Sequence, residues 1–406
     1  MNRRLAFTFI IVTLIIDAMG IGLILPVMPD LLQHVNGGDL GNAALWGGVL
    51  TTMFAAIQFL VGPTLGSLSD QYGRRPILIF STAVIAVDYL IMGLANSIWL
   101  LLLLRVIAGI ASATQSTATA FIADVSTPEE KAANFGILGA AFGIGFILGP
   151  LIGGLLGGYF DFRAPFFAAA ALAGMNLMLG IFVLPETVTG KIRRKFDWRR
   201  ANPVGALMQI KKLAGLGRLL LLFFLYDFAF FAYPAIWAYF TKERFDWSPE
   251  MIGYSLAGFG ISIAFVQGYL IRKIIPAFGE RKVLIFGLFF SLIMFTLLAF
   301  VTSGPLVMVL TPIAAMGAMV VPTLQGLISK MARDDQQGEV QGIVSSIRSL
   351  AVLMAPLVMT YVFFAATRPD GPVYQPGAPF MVSMLFVVLC LILFLSRPKG
   401  TWSKVQ

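Results

Sequence analysis

Residues 66–76 read Gly66-Ser-Leu-Ser-Asp70-Gln-Tyr-Gly73-Arg74-Arg75-Pro76, a polar stretch between two long apolar runs. Its glycines permit a tight turn and close helix approach. Asp70 and Arg74 can form a charge latch where helix ends meet. Arg75 adds to a positive charge of the kind that marks the cytoplasmic side of a membrane. The flanking runs, at about 44–66 and 76–96, each hold the roughly 20 apolar residues that a bilayer-crossing helix needs. The stretch therefore reads as a short inner turn between two membrane spans.

Outward from this turn the same pattern continues in both directions. The chain has 406 residues, 58% of them hydrophobic and 12% charged, with a mean hydropathy of +0.86, well outside the profile of a soluble domain. By run length, one set of six spans falls at about 5–26, 44–66, 76–96, 99–123, 134–157 and 164–184. A second set falls at about 217–240, 250–273, 282–302, 304–328, 341–366 and 377–396. The expectation is an all-α membrane protein with twelve helices in two six-helix bundles, 1–184 and 217–406, joined by a basic linker at 185–216.

That linker carries Lys191, Arg193, Arg194, Lys195, Arg199, Arg200, Lys211 and Lys212 against Glu186 and Asp197. Further basic residues cluster at Arg272 and Lys273, Arg281 and Lys282, Lys330 and Arg333, and Arg397, Lys399 and Lys404. The opposite loops hold few: Arg163, the Lys242 and Arg244 pair, and Arg368. Positive charge on one side predicts that both termini and the linker face the cytoplasm, with the linker near anionic lipid headgroups. Arg3 and Arg4 before an apolar run resemble a secretory leader, but the run is too long, carries Asp17 and lacks a small-residue cleavage site, so 5–26 reads as a retained helix.

Several function classes are excluded. The formal charge of +9 lies in short loops rather than along one soluble face, which argues against nucleic acid. Cys390 is the only cysteine, so no intrachain disulfide forms. There is neither an H-E-x-x-H motif nor a G-x-x-x-x-G-K-[ST] loop, hence no expectation of an enzyme, a metal site, a nucleotide or another cofactor. The one histidine, His34, falls in an outer loop. A carrier driven by an ion gradient remains, for which no obligate protein partner is expected.

Internal duplication supports a carrier. Tyr72-Gly73 before Arg74-Arg75 is echoed by Phe278-Gly279 before Glu280-Arg281-Lys282, each between the second and third span of its half. Five charges fall within apolar runs: Asp17, Asp88, Arg105, Asp227 and Arg348. Such residues are costly in lipid and mark pathways or relays, and low dielectric disfavours a carboxylate's charged form, the property a proton-coupled carrier needs. Asp227, beside Tyr226 and near Tyr233, is expected to supply a carboxylate for the second half. Gln58, Gln115, Gln267 and Gln325 are candidate cavity residues, since polar groups inside a span need partners or water. In the fifth span Gly145, Gly149 and Gly153 recur every fourth residue, with Pro150 and Gly154 alongside, giving a bare face for close packing and a bend.

Residues 66–76 resemble the signature loop of the major facilitator superfamily, G-x-L-x-D-x-x-G-R-R-P, and residues 145–154 resemble the G-x-x-x-G-P-x-x-G-G motif of its proton-coupled drug exporters. At a finer level the chain is similar, nearly end to end, to the twelve-helix tetracycline/proton antiporters. The similarity includes Asp17-Ala-Met-Gly-Ile-Gly-Leu-Ile-Leu-Pro26, Asp88-Tyr-Leu, Arg105 with Gly109, Ile122-Ala-Asp124, Ser255-Leu-Ala-Gly258 and Leu324-Gln-Gly326. The resemblance implies a major facilitator fold, export of tetracycline (as its divalent-cation complex) or of another amphipathic drug across a bacterial inner membrane, and exchange for protons. It implies coupling roles for Asp17 and Asp88 and a fourth-span arginine at Arg105, which either holds a carboxylate or snorkels outward. It also implies a conformational gate of Gly66, Asp70, Gly73, Arg74, Arg75 and Asp124. Two departures stand out: Ser291 occupies the place of an essential ninth-span aspartate and Ile263 that of a histidine, leaving Asp227 and Arg348 to replace the missing second-half charge. A metabolite uptake carrier of the same fold is the weaker alternative.

Overall fold

A computed structural model describes residues 3–112, 114–127, 130–188, 216–331, 337–371 and 373–396. Most of the expected linker (189–215), together with Arg333, Arg397, Lys399 and Lys404, lies outside the described residues. Among those described the chain is helical and without strands, and twelve helices are long and apolar enough to cross a membrane. In order these spans are Phe7–Ile24, Leu40–Tyr72, Arg74–Leu94, Ile98–Val125, Ala133–Tyr159 and Ala164–Val183, then Gly217–Phe245, Pro249–Phe278, Glu280–Phe300, Gly304–Met331, Val340–Thr367 and Ala378–Leu395.

The second span does not end where its hydropathy falls. It stays helical through Ser69, Asp70 and Tyr72, and a single residue, Gly73, separates it from the third span. Gly66 consequently sits inside a helix with open space where a Cβ would be, so it makes neither the turn nor the close approach expected of it. The turn falls to Gly73, at φ 116°, a conformation that side chains on L-residues disfavour. Gly279 repeats it at φ 80° before the ninth span.

Two compact units make up the described chain. One comprises Met1–Asp39, Met53–Asn202 and Trp247–Ala257, the other Leu40–Thr52, Pro203–Asp246 and Gly258–Gln406. In the first unit the first span packs along the fifth and sixth, and the third packs along the fourth and sixth. In the second unit the seventh span packs along the eleventh and twelfth, and the ninth packs along the tenth and twelfth. The internal neighbour pattern is the same, as expected of copies. Gly73 and Gly279, Arg74 and Glu280, Asp124 and Lys330, and Pro150 and Pro356 are all separated by the same number of residues.

Two second-half prolines, Pro234 and Pro322, coincide with breaks in their helices, whereas Pro276, Pro312 and Pro356 lie inside helix. A helical proline clashes with the carbonyl four residues earlier and donates no hydrogen bond to it. Pro234 sits four residues after Phe230, and the seventh span divides there into Gly217–Phe230 and Ala232–Phe245. Pro322 sits four after Ala318, and the tenth span tightens to a 3₁₀ turn over Ala315–Met319. The Ala318 carbonyl accepts a hydrogen bond from Gln267 Nε2 at 3.2 Å, from a π-helical turn, Val266–Leu270, in the eighth span. Such a turn re-satisfies backbone groups that lipid cannot.

Candidate functional site

In the first unit a polar cluster forms inside the spans. Arg105 Nη2 pairs with Asp88 Oδ2, also reaches Met92 Sδ at 2.8 Å, and its guanidinium lies 5.6 Å from the Phe54 ring centre. Asp88 is buried, so Arg105 holds a carboxylate and does not snorkel outward. Tyr89 is within electrostatic reach of Asp17, Asp88 and Arg105, and its hydroxyl end lies against the Gly20 backbone, one turn after Asp17. Asp17 is half-buried and faces Thr114, whose buried hydroxyl closes no hydrogen bond. No cation among the described residues lies in ion-pair contact with Asp17. One carboxylate is thus held by a guanidinium, while its neighbour has no ion-pair partner among the described residues. Thr13 and Asn176 tie the first span to the sixth close by, at 2.9 Å.

In the second unit Asp227 and Arg348 come together loosely, with Nε and Oδ2 4.0 Å apart. Asp227 is buried and its Oδ2 accepts no hydrogen bond, while the Arg348 side chain is 59% exposed. Beside them Tyr226, fully buried, shares a 2.8 Å hydrogen bond with Ser291 Oγ and donates one at 2.7 Å to the Gly317 carbonyl. The hydroxyl at position 291 is therefore a structural tie between the seventh, ninth and tenth spans. Gln267 ties the eighth span to the tenth, as above. Gln58 and Gln115 are exposed and Gln325 half-buried, and among the described residues no side-chain hydrogen bond joins them to either charge cluster.

Between the second and third spans of the first unit, Arg74 gathers the expected latch. Its Nη1 is 2.6 Å from Asp70 Oδ1 and also meets Ser69 Oγ, and its Nε donates to Asp124 Oδ2 at 3.2 Å. Arg75 takes no part in this cluster and donates from Nη2 to the Ile181 carbonyl at 2.7 Å. The second unit carries a copy with reversed charges: Glu280 pairs with Lys330 at 2.9 Å, at the positions that repeat Arg74 and Asp124.

The glycine motif of the fifth span has two working faces. Gly145, Gly149 and Gly153 lie against the first-span carbonyls of Ile15, Met19 and Leu23, and a Cβ on Gly149 would stand 2.7 Å from the Met19 oxygen. On the other face, a Cβ on Gly154 would stand 2.5 Å from the Pro249 oxygen, and one on Gly253 2.5 Å from the Pro150 oxygen. The second unit has a counterpart, where Gly48 faces the Pro356 carbonyl and Thr360, and Thr52 Oγ1 donates to the Leu353 carbonyl at 3.1 Å. Backbones this close leave no room for side chains.

Comparison with known proteins agrees with this architecture. The profile of the Major Facilitator Superfamily matches residues 10–277 and again 219–405, in keeping with a duplicated chain. The tetracycline resistance protein, class C, of Escherichia coli is 36% identical over 404 residues, covering 100% of this chain and 99% of that protein. The class G tetracycline resistance protein of Vibrio anguillarum is 36% identical over 392 residues, covering 95% and 96%. The solved structure of the human organic anion transporter MFSD10 (TETRAN) superimposes with a TM-score of 0.69 at 26% identity, covering 97% of this chain and 100% of that one. With its spans, its repeated glycine turn and its glycine seams all in place, this multi-pass membrane chain is a transporter and not an enzyme, and it belongs to the major facilitator superfamily.

Proposed function

We propose that this chain exports tetracycline, or a related planar amphipathic drug, across the bacterial inner membrane in exchange for protons, with both termini in the cytoplasm. The observation that carries the reading is the cluster of Asp17, Tyr89, Asp88 and Arg105 in a chain similar along its whole length to tetracycline resistance proteins. In this reading the two carboxylates have different tasks. Asp88 stays paired with Arg105, and Asp17 is the group that exchanges a proton. Substrate, alone or as a divalent-cation complex, and proton compete for Asp17, so that proton entry from outside releases the drug. Asp227 with Arg348 provides the second-half charge that Ser291 does not. Export draws on the proton gradient alone, with no cofactor and no protein partner, and the inner latch and glycine seams serve the alternation of access between the two sides.

The test is uptake of tetracycline with magnesium into everted membrane vesicles, with and without a collapsed pH gradient. Gradient-dependent uptake in vesicles carrying the protein, absent from empty vesicles, is the expected result. No uptake of tetracycline, with gradient-dependent movement of other cationic drugs, would overturn the substrate and leave a multidrug exporter.

A further inference from the structure

The third span begins without a cap of its own. Gly73 precedes Arg74 and has no side chain to offer the first backbone N–H groups, which are unpaired by the geometry of any helix and carry the positive end of its dipole. A carboxylate from elsewhere in the chain fills the place. Glu186, just past the end of the sixth span, accepts from Arg74 N at 2.9 Å through Oε1 and from Arg75 N at 3.2 Å through Oε2. Oε1 also accepts from Thr187 N and Val188 N, both at 2.9 Å. A Cβ on residue 73 would fall on this carboxylate, so the missing side chain makes room for it as well as allowing the turn.

The contacts around it join the same two elements. Thr187 Oγ1 donates to Asp124 Oδ2 at 3.3 Å, the oxygen that also receives Arg74 Nε. Arg75 reaches back to the Ile181 carbonyl. The segment that leaves the sixth span is thereby fastened to the latch through two backbone N–H groups, those of Arg74 and Arg75, and one hydroxyl, that of Thr187.

We propose that Glu186 is a positioning residue of the inner latch. It caps the third span in trans, orients Arg74 toward Asp70 and Asp124, and links the start of the inter-half segment to the latch, so that the two move as one body. It does not touch substrate. Only the transport readout below rests on the proposed export.

Four forms are compared at matched membrane levels: the native chain, Glu186→Ala, Gly73→Ala and the double variant. In everted vesicles, each single variant is expected to lower the maximum rate of gradient-driven tetracycline uptake five- to tenfold with KM within twofold. The double variant should be no worse than the poorer single one, because both changes remove the same contact. Glu186→Gln should fall between, since its amide oxygen still accepts from Arg74 N. Native transport with an unaffected Glu186→Ala, or losses that multiply in the double variant, would overturn the proposal. If even the native chain moves no tetracycline, the export reading fails and hydrogen exchange decides the inference alone. Amide exchange in the peptide that opens the third span should rise at least tenfold in Glu186→Ala and in Gly73→Ala, with no further rise in the double variant. Unchanged exchange would overturn it.

Discussion

Asp17 and Asp88 lie in one cluster but answer to different neighbours, and substitution should separate them. Removing Arg105 strands a buried carboxylate, which costs about 3–5 kcal/mol when a buried pair loses one partner. Arg105→Ala should therefore lower thermal stability in detergent, and adding Asp88→Asn should restore much of the loss; equal stability of native and Arg105→Ala protein would contradict the pairing. Asp17→Asn removes no ion pair, so its stability should match that of the native chain while gradient-driven uptake falls at least tenfold. In the second unit, Asp227→Asn should likewise reduce proton-driven export several-fold, and full export by this variant would end the assignment. These charges stood out in the sequence because polar groups in long apolar runs are conspicuous. Their partners did not, since run length carries no rotational register: nothing in the sequence says that Ser291 meets Tyr226 or that Thr114 faces Asp17.

Element boundaries were legible wherever a local rule governs them. Twelve apolar runs give twelve spans, but proline alone does not mark the breaks: Pro234 and Pro322 coincide with them, whereas Pro63, Pro150, Pro312 and Pro356 lie inside helix. The end of the second span is not legible in the sequence, because an exposed polar helix end and a polar loop look alike in composition; helix persists to Tyr72 and leaves Gly66 without a role in the turn. Glu186 escaped notice for a related reason, since a carboxylate after a span reads as linker until the helix end it caps is seen. The charge-reversed latch allows a test at this scale. Glu280→Lys or Lys330→Glu alone sets like charges together and should slow transport several-fold, while the two combined should return to within twofold of native. Stability should change little, as half-exposed pairs contribute about 0–1 kcal/mol. No recovery in the double reversal would mean the pair does not act as a unit. On the fifth span, Gly154→Leu drives a side chain into the Pro249 carbonyl, and transport should fall more than tenfold at unchanged expression.

At the scale of the molecule, duplication organises what the parts do. Each unit has the same internal packing, a charge pair at the end of its fourth or tenth span, and a glycine-to-carbonyl seam beside Pro150 or Pro356. The buried charges break the symmetry. One half holds two aspartates and an arginine, the other a single loosely paired aspartate, and the proposed proton exchange rests chiefly on Asp17. The most direct measurement is proton release on adding tetracycline with magnesium to purified protein in weakly buffered detergent. The native chain should release protons as drug binds, and Asp17→Asn should bind drug without releasing them. Drug binding by the native chain with no proton release, or the same release from Asp17→Asn, would contradict the proposed proton exchange.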